Sequence, residues 1–187
     1  MALLVYVDDM FLASNDKQSI REFIVFMNTH FKLKDLGPLK FFLGLEIARS
    51  TAGISICQCK FALDILSDTG HLASKPSAFP MDSNAKFSAS DGELLNDPKS
   101  YRRLIGRLLY LTITRPDLTF VVHTLSQFMQ APRKPHLDVV FHILRYIKAA
   151  PGQGLFFPAS SSCHLEAFYD SDWALIPDVP FSSFVFF

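Results

Sequence analysis

Apolar positions change their spacing several times along the chain, and each change predicts a different element. Leu3 to Val7 and Met10 to Ala13 are β-rich runs separated by Asp8-Asp9, which predicts a tight hairpin with two carboxylates at its tip. Asn15 with Gln18 three residues on predicts a helix start, and Ile20, Phe23, Ile24, Met27 and Phe31 recur at helical spacing. That helix should pack against the hairpin. Gly37-Pro38 breaks the chain, after which Phe41 to Arg49 and Ile54 to Gln58 read as strands flanking a turn at residues 50–53. Phe61, Ile65 and Leu66 predict a short helix over residues 60–69, stopped by Gly70.

Periodicity fades between Lys75 and Pro98, where Pro, Ser, Asn and Asp predominate, and this stretch is the best linker candidate. Asp97-Pro98 then predicts a helix start, with Asp as N-cap and Pro at the first helical position. Tyr101, Leu104, Ile105 and Leu108 form its apolar stripe, and Arg103 and Arg107 lie one turn apart on another face. Thr114-Arg115-Pro116-Asp117 interrupts the pattern. A second helix is expected to about Gln130 and a third from Pro135 to Ala149, ended by Pro151-Gly152. Short strands follow at residues 155–157 and 164–169.

Composition adds that the chain has enough apolar residues to fold: 49% of 187, with 19 Phe. The formal charge is zero, yet it is unevenly distributed. Residues 1–98 carry 9 Lys/Arg against 12 Asp/Glu, residues 99–148 carry 9 against 2, and residues 149–187 carry 0 against 4. A basic block between acidic ones suggests a surface facing a polyanion; ordinary solvated helix faces are the alternative. Three cysteines without Cys-x-x-Cys spacing imply neither a disulfide framework nor a zinc site, and fit a reducing compartment. The apolar N-terminal run lacks a basic leader and holds Asp8 and Asp9, so it does not read as a signal peptide, and no run is long enough to cross a membrane. An intracellular location without membrane contact is expected.

Adjacent carboxylates at a hairpin tip suit a divalent cation, because strands fix the backbone while the turn projects oxygen ligands; many Asp-Asp turns, however, hold nothing. The flanking residues extend the argument. Tyr6-Val7-Asp8-Asp9 resembles the signature hairpin of reverse transcriptases, and further segments follow in the order of the copia-type retrotransposon Pol polyprotein. These are Lys34-Asp35-Leu36-Gly37-Pro38-Leu39-Lys40-Phe41-Phe42-Leu43-Gly44-Leu45-Glu46-Ile47, then residues 53–61, Lys75-Pro76 and Pro80-Met81, then residues 101–111, Thr114 to Asp117, Leu125 to Phe128 and Arg145 to Lys148. Asp170-Ser171-Asp172-Trp173-Ala174 resembles the start of that family's RNase H domain, after which the pattern fails.

The resemblance implies an α+β fold in three unequal parts: residues 1–58 from a palm with its active-site and primer-grip hairpins, 59–152 a mainly helical thumb and connection, and 153–187 a truncated RNase H start. It implies RNA-directed DNA polymerase chemistry with Mg²⁺, Asp8 and Asp9 as polymerase ligands and Asp170 as an RNase H ligand. The partner would be an RNA or DNA template-primer or a hybrid duplex, with Arg103, Arg107, Arg133, Lys134, Arg145 and Lys148 as candidate phosphate contacts. Only seven residues precede Asp8, so the upstream palm Asp and the fingers are expected to be missing, as is most of RNase H. The expectation is therefore a fragment inactive by itself; a residual non-specific nucleic-acid-binding module and a pseudogene product without a role are the alternatives.

Overall fold

The computed structural model describes residues 1–81 and 87–160, so the expected strand at 164–169 and Asp170 lie outside the described residues. Helices and antiparallel strands are both present, in two sheets. Strands β1 (Ala2–Tyr6) and β2 (Asp9–Ala13) make the first hairpin, followed by helix α1 (Lys17–His30). Its N-cap is Asp16 and not Asn15, because the Asp16 carboxylate accepts from the Gln18 and Ser19 amides. Ile20, Phe23, Ile24 and Met27 of α1 line a cleft together with Met10, Phe11 and Leu12 of the hairpin and do not pack tightly on it: they are only half-buried and no residue of α1 is fully buried.

The second sheet contains β3 (Phe41–Phe42), β4 (Leu45–Arg49), β5 (Gly53–Cys57) and β6 (Gly154–Pro158), hydrogen-bonded in that order. The stretch expected as one strand is split between β3 and β4 by Leu43 and Gly44, both at positive φ (48° and 75°), the backbone that a two-residue hairpin turn requires. β6 pairs with β5 from Gly53↔Pro158 to Cys57↔Gly154. This close pairing needs glycine at both ends: a Cβ on Gly53 would come within 2.2 Å of the Phe157 carbonyl oxygen, and one on Gly154 within 2.2 Å of the Ile56 oxygen.

Everything between β5 and β6 is an excursion out of this sheet, and it contains the core. Helices α2 (Cys59–Asp68), α3 (Pro98–Leu111), α4 (Thr119–Ser126) and α5 (Lys134–Ala149) follow one another, with a 3-10 turn at Pro116–Leu118. Asp97 caps α3 and Pro98 opens it, as expected. Spacings of three and four bury Tyr101, Leu104, Ile105, Leu108 and Leu111 on α3, and His136, Val140, Ile143, Leu144 and Ile147 on α5. Ala62, Ile65 and Leu66 of α2, Leu118 of the 3-10 turn, and Val121, Val122 and Leu125 of α4 complete the cluster. Each large aliphatic side chain buried this way contributes about 1.5–3 kcal/mol, so the helical body dominates stability.

The polar stretch expected as a linker, with Ser74 just before it, is strapped to α5 and to the residues that lead into α5. Lys148 Nζ donates to the Ser74 carbonyl, the Ser77 amide to the Arg145 carbonyl (3.1 Å), and the Leu95 amide to the Pro132 carbonyl (2.9 Å). His136 touches the Ser88 carbonyl through Nε2 (3.1 Å). Those partners are distant in sequence, so the local composition carried no sign of them.

Candidate polymerase carboxylates and the basic helices

The hairpin turns one residue earlier than its composition predicts. Tyr6 pairs with Asp9, so Val7 and Asp8 form the loop and Asp9 opens β2. Val7 has φ +50°, a left-handed conformation rarely adopted by a β-branched residue, and such strain concentrates at functional sites. Both carboxylates are exposed. They open on a broad cleft between the hairpin, α1 and the segment 32–42, whose lining also includes Lys32, Lys34, Lys40 and Arg49. Phe11 bridges this cleft to the second sheet, its ring centroid 5.9 Å from that of Phe42. The four cations lining the same cleft were not singled out from the sequence, although three of them fall within ten residues, from Lys32 to Lys40.

Among the described residues no group of three or more His, Cys, Asp or Glu side chains is placed to hold a metal ion. Asp8 and Asp9 stand as two adjacent, exposed carboxylates. The paired-ion arrangement that stabilises attacking and leaving oxygens in polymerases needs ions about 4 Å apart and a shared set of ligands, so the donors described here do not fit it unaided. Cys57 and Cys59 offer no reactive pair: burial pushes the Cys59 thiol up, and Glu46 and Cys57 beside it add to the effect.

The structure gives the six candidate phosphate contacts different surroundings. Arg103 is exposed on α3 and forms no ion pair among the described residues. Arg107 Nη1 lies 2.8 Å from Asp68 Oδ2, and its guanidinium lies over Phe61. Arg133 donates to the carbonyls of Ala89 (2.7 Å) and Gly92 (2.6 Å), holding the strap. Lys134 pairs with Asp138 one turn on, and Lys148 holds Ser74. Arg145 Nη2 is 3.4 Å from His142 Nδ1. Several cations of the basic block therefore fasten the chain to itself.

The block also contains a cation the charge count could not place. Arg115 is 1% exposed and sends Nε and Nη2 to Asp117 (3.0 and 2.8 Å) and Nη1 to the Ala150 carbonyl (3.1 Å). Tyr146 donates its hydroxyl to Asp117 (3.0 Å), and the Arg115 guanidinium lies over its ring. Burial acts to raise the Asp117 carboxyl, but the Arg115 hydrogen bond and charge and then the Tyr146 hydroxyl outweigh it and hold it below the ordinary carboxylate value. This is a structural knot joining the 3-10 turn to the end of α5.

Residues 1–83, which include the hairpin with its adjacent aspartates and the helix after it, match the family described as Reverse transcriptase (RNA-dependent DNA polymerase). The chain is 38% identical over 172 residues to the retrovirus-related Pol polyprotein from transposon RE1 of Arabidopsis thaliana, covering 92% of this chain and 12% of the polyprotein. It is 36% identical over 174 residues to the uncharacterized mitochondrial protein AtMg00810 of the same plant, covering 93% of this chain and 72% of that protein. The tobacco Pol polyprotein from transposon TNT 1-94 is 31% identical over 183 residues, 92% of this chain and 14% of its own length. No solved structure matches. The chain belongs to the copia-type retrotransposon reverse transcriptase family, and it spans only a small part of the Pol polyproteins it resembles.

Proposed function

We propose that this chain is a palm, thumb and connection portion of a retrotransposon RNA-directed DNA polymerase with RNase H, and that by itself it binds a template-primer or hybrid duplex without extending it. The observation that carries this reading is the adjacent Asp8 and Asp9 on a strained hairpin, opening on a largely apolar cleft whose lining also holds Lys32, Lys34, Lys40 and Arg49 with one further carboxylate, Asp35. Carboxylates are ligands for Mg²⁺, while the lysines and arginine lining the same cleft suit phosphates. With two adjacent donors and no third grouped with them among the described residues, polymerase chemistry requires a further carboxylate from elsewhere.

Primer extension tests the first half. Given primer, template, nucleotides and Mg²⁺ or Mn²⁺, the chain should extend nothing above background; extension abolished by Asp8→Asn or Asp9→Asn would refute the incomplete-site argument. Cleavage of the RNA strand of a hybrid should likewise be absent, and cleavage lost on Asp170→Asn would overturn that. Binding tests the second half: affinity for unrelated hybrid sequences should be similar and should fall steeply with salt, because neutralised phosphates release condensed counterions. A folded preparation that shifts no hybrid even at low salt would favour a pseudogene product without a biochemical role. Among the described residues no helix is long and apolar enough to cross a membrane.

A further inference from the structure

We propose that Ser90 is a phosphorylation site: a serine kinase that reads acidic residues following its acceptor modifies the hydroxyl, and Arg133 holds the phosphate. Four hydroxyl residues of the chain have a carboxylate three positions on, namely Ser19, Ser88, Ser90 and Thr114. Their surroundings separate them. Thr114 is 1% exposed and donates to Gln58. Ser19 lies within α1 and donates its hydroxyl to Asp16 (2.6 Å). Ser88 is half-buried, and its carbonyl meets His136. Ser90 is exposed in a stretch without helix or strand, and Asp91, Gly92 and Glu93 after it are exposed as well. Of the four it is also the one with an acidic residue directly after it. Carboxylates at these two positions suit a basic kinase groove, which reads them through charge-assisted hydrogen bonds.

What lies against this loop gives the phosphate a partner. Arg133 is half-buried and donates Nε to the Ala89 carbonyl (2.7 Å) and Nη1 to the Gly92 carbonyl (2.6 Å). The main chain on both sides of Ser90 and Asp91 therefore folds over one guanidinium. Among the described residues that guanidinium has no ion pair, and its Nη2 has no hydrogen-bond partner. Its charge meets neutral carbonyls only. The Ser90 hydroxyl, one residue from the Ala89 carbonyl, touches another neutral group, Ser88 Oγ at 3.0 Å. A phosphoryl group on it brings three acceptor oxygens and a charge of about −1.5 to −2, the counter-charge that Arg133 lacks. In the transfer Ser90 Oγ bonds to the terminal phosphorus of a nucleoside triphosphate, the bond from that phosphorus to the nucleoside diphosphate breaks, and the hydroxyl proton passes to a base of the kinase. The new ion pair would fasten the strap where the Lys134 amide already donates to the Glu93 carbonyl (2.9 Å).

The experiment incubates the full chain with ATP, Mg²⁺ and a recombinant acidophilic serine kinase and maps the modified residues by tandem mass spectrometry. Phosphate is expected at Ser90. Ser90→Ala should abolish that incorporation, and Glu93→Gln should slow it by about tenfold, the scale of one lost charge-assisted hydrogen bond. Phosphorus NMR then follows the second ionisation of the phosphoserine, ordinarily at about pH 6. Pairing with Arg133 should lower it by about half a pH unit or more, and Arg133→Gln should restore the ordinary value even where that variant loosens the strap. Phosphorylation should raise the melting temperature of the wild type by about 2–4 °C and leave that of Arg133→Gln unchanged. Incorporation only after heat denaturation, or at other residues with Ser90 unmodified, would overturn the assignment of the site. A phosphorylated Ser90 that ionises alike in wild type and Arg133→Gln would overturn the role of Arg133.

Discussion

Asp117→Asn should destabilise this protein more than Arg115→Met, although both remove the same ion pair. The asymmetry follows from exposure: Arg115 is 1% exposed, whereas the Asp117 side chain retains 27%. Losing the arginine leaves a carboxylate that water still reaches and that Tyr146 still bonds, together with an unpaired Ala150 carbonyl. Losing the aspartate charge leaves a guanidinium without a counter-charge where water is almost excluded. Breaking a buried pair costs about 3–5 kcal/mol, and Asp117→Asn belongs at the upper end. Arg115→Met should cost about 2–3 kcal/mol, the low side of that range after allowing for the access water has to Asp117. Replacing both partners, as Arg115→Met with Asp117→Leu, should recover part of the loss, since no uncompensated charge then remains buried. Urea denaturation followed by circular dichroism at pH 7 measures the wild type and these three variants. Equal costs for the two single variants, or either cost below about 1 kcal/mol, would show that burial does not govern this pair. A pH dependence follows as well. Because the folded Asp117 carboxyl is held low, its contribution is fully present above the unfolded value near 3.9 and lost as pH falls through the lower folded value. The Asp117→Asn variant should therefore lose less stability than wild type on acidification below about pH 4.

Deleting residues 1–36 should leave the unfolding transition of the remainder nearly unchanged, because that segment contributes no residue to the buried cluster; a drop in melting temperature beyond about 4 °C would contradict this. His136 accepts from the Arg133 amide through Nδ1 and meets the Ser88 carbonyl through Nε2, and burial holds its protonation down. Its contribution should be complete above the unfolded value near 6.5 and should decline as pH falls towards the lower folded one; His136→Gln should flatten the melting-temperature profile between about pH 7.5 and 5.5. Gln58 is 1% exposed, accepts from the Thr114 hydroxyl (2.8 Å), and leaves Nε2 without a partner among the described residues. Gln58→Met should strand the Thr114 hydroxyl at a cost of about 1–3 kcal/mol, while adding Thr114→Val should bring the pair close to neutral; a double variant worse than the single would refute that account.

Elements that bury a face were legible because periodicity records burial directly. The Asp97-Pro98 start, the stripe through Tyr101, Leu104, Ile105 and Leu108, and the inward residues of α2 all appear where their spacing placed them. Local chemistry misled where the fold overrode it. Asp8-Asp9 has turn composition and Val7 does not, yet pairing Tyr6 with Asp9 puts Val7 in the turn at positive φ. Asn15 and Asp16 are both capable caps, and only geometry chose the second. Long-range partners were invisible. Nothing near Leu155 announces that its neighbour is Ile56, and nothing in the polar stretch after Lys75 announces that α5 will hold it. The charge count found a basic block correctly but had no way to separate Arg115, enclosed with Asp117, from Arg103, which faces solvent. For the candidate site, the order of motifs along the chain led to the family, while the cations around Asp8 and Asp9 required the cleft to be seen.

The pairing of β6 with β5 also governs how the chain reaches its native state. Cys57 cannot meet Gly154 until all four helices of the excursion have been synthesised, so β5 leaves the ribosome long before its neighbour exists. Closing so long an unstructured loop would cost about 4 kcal/mol in chain entropy, and prior assembly of the helices lowers that cost by bringing the two ends together. The helical body should therefore form first and the last strand should dock late. Until then β5 presents unpaired backbone groups to any extended chain nearby. Aggregation during expression should accordingly depend on translation speed through the helices, a quantity set by the messenger and absent from the finished fold.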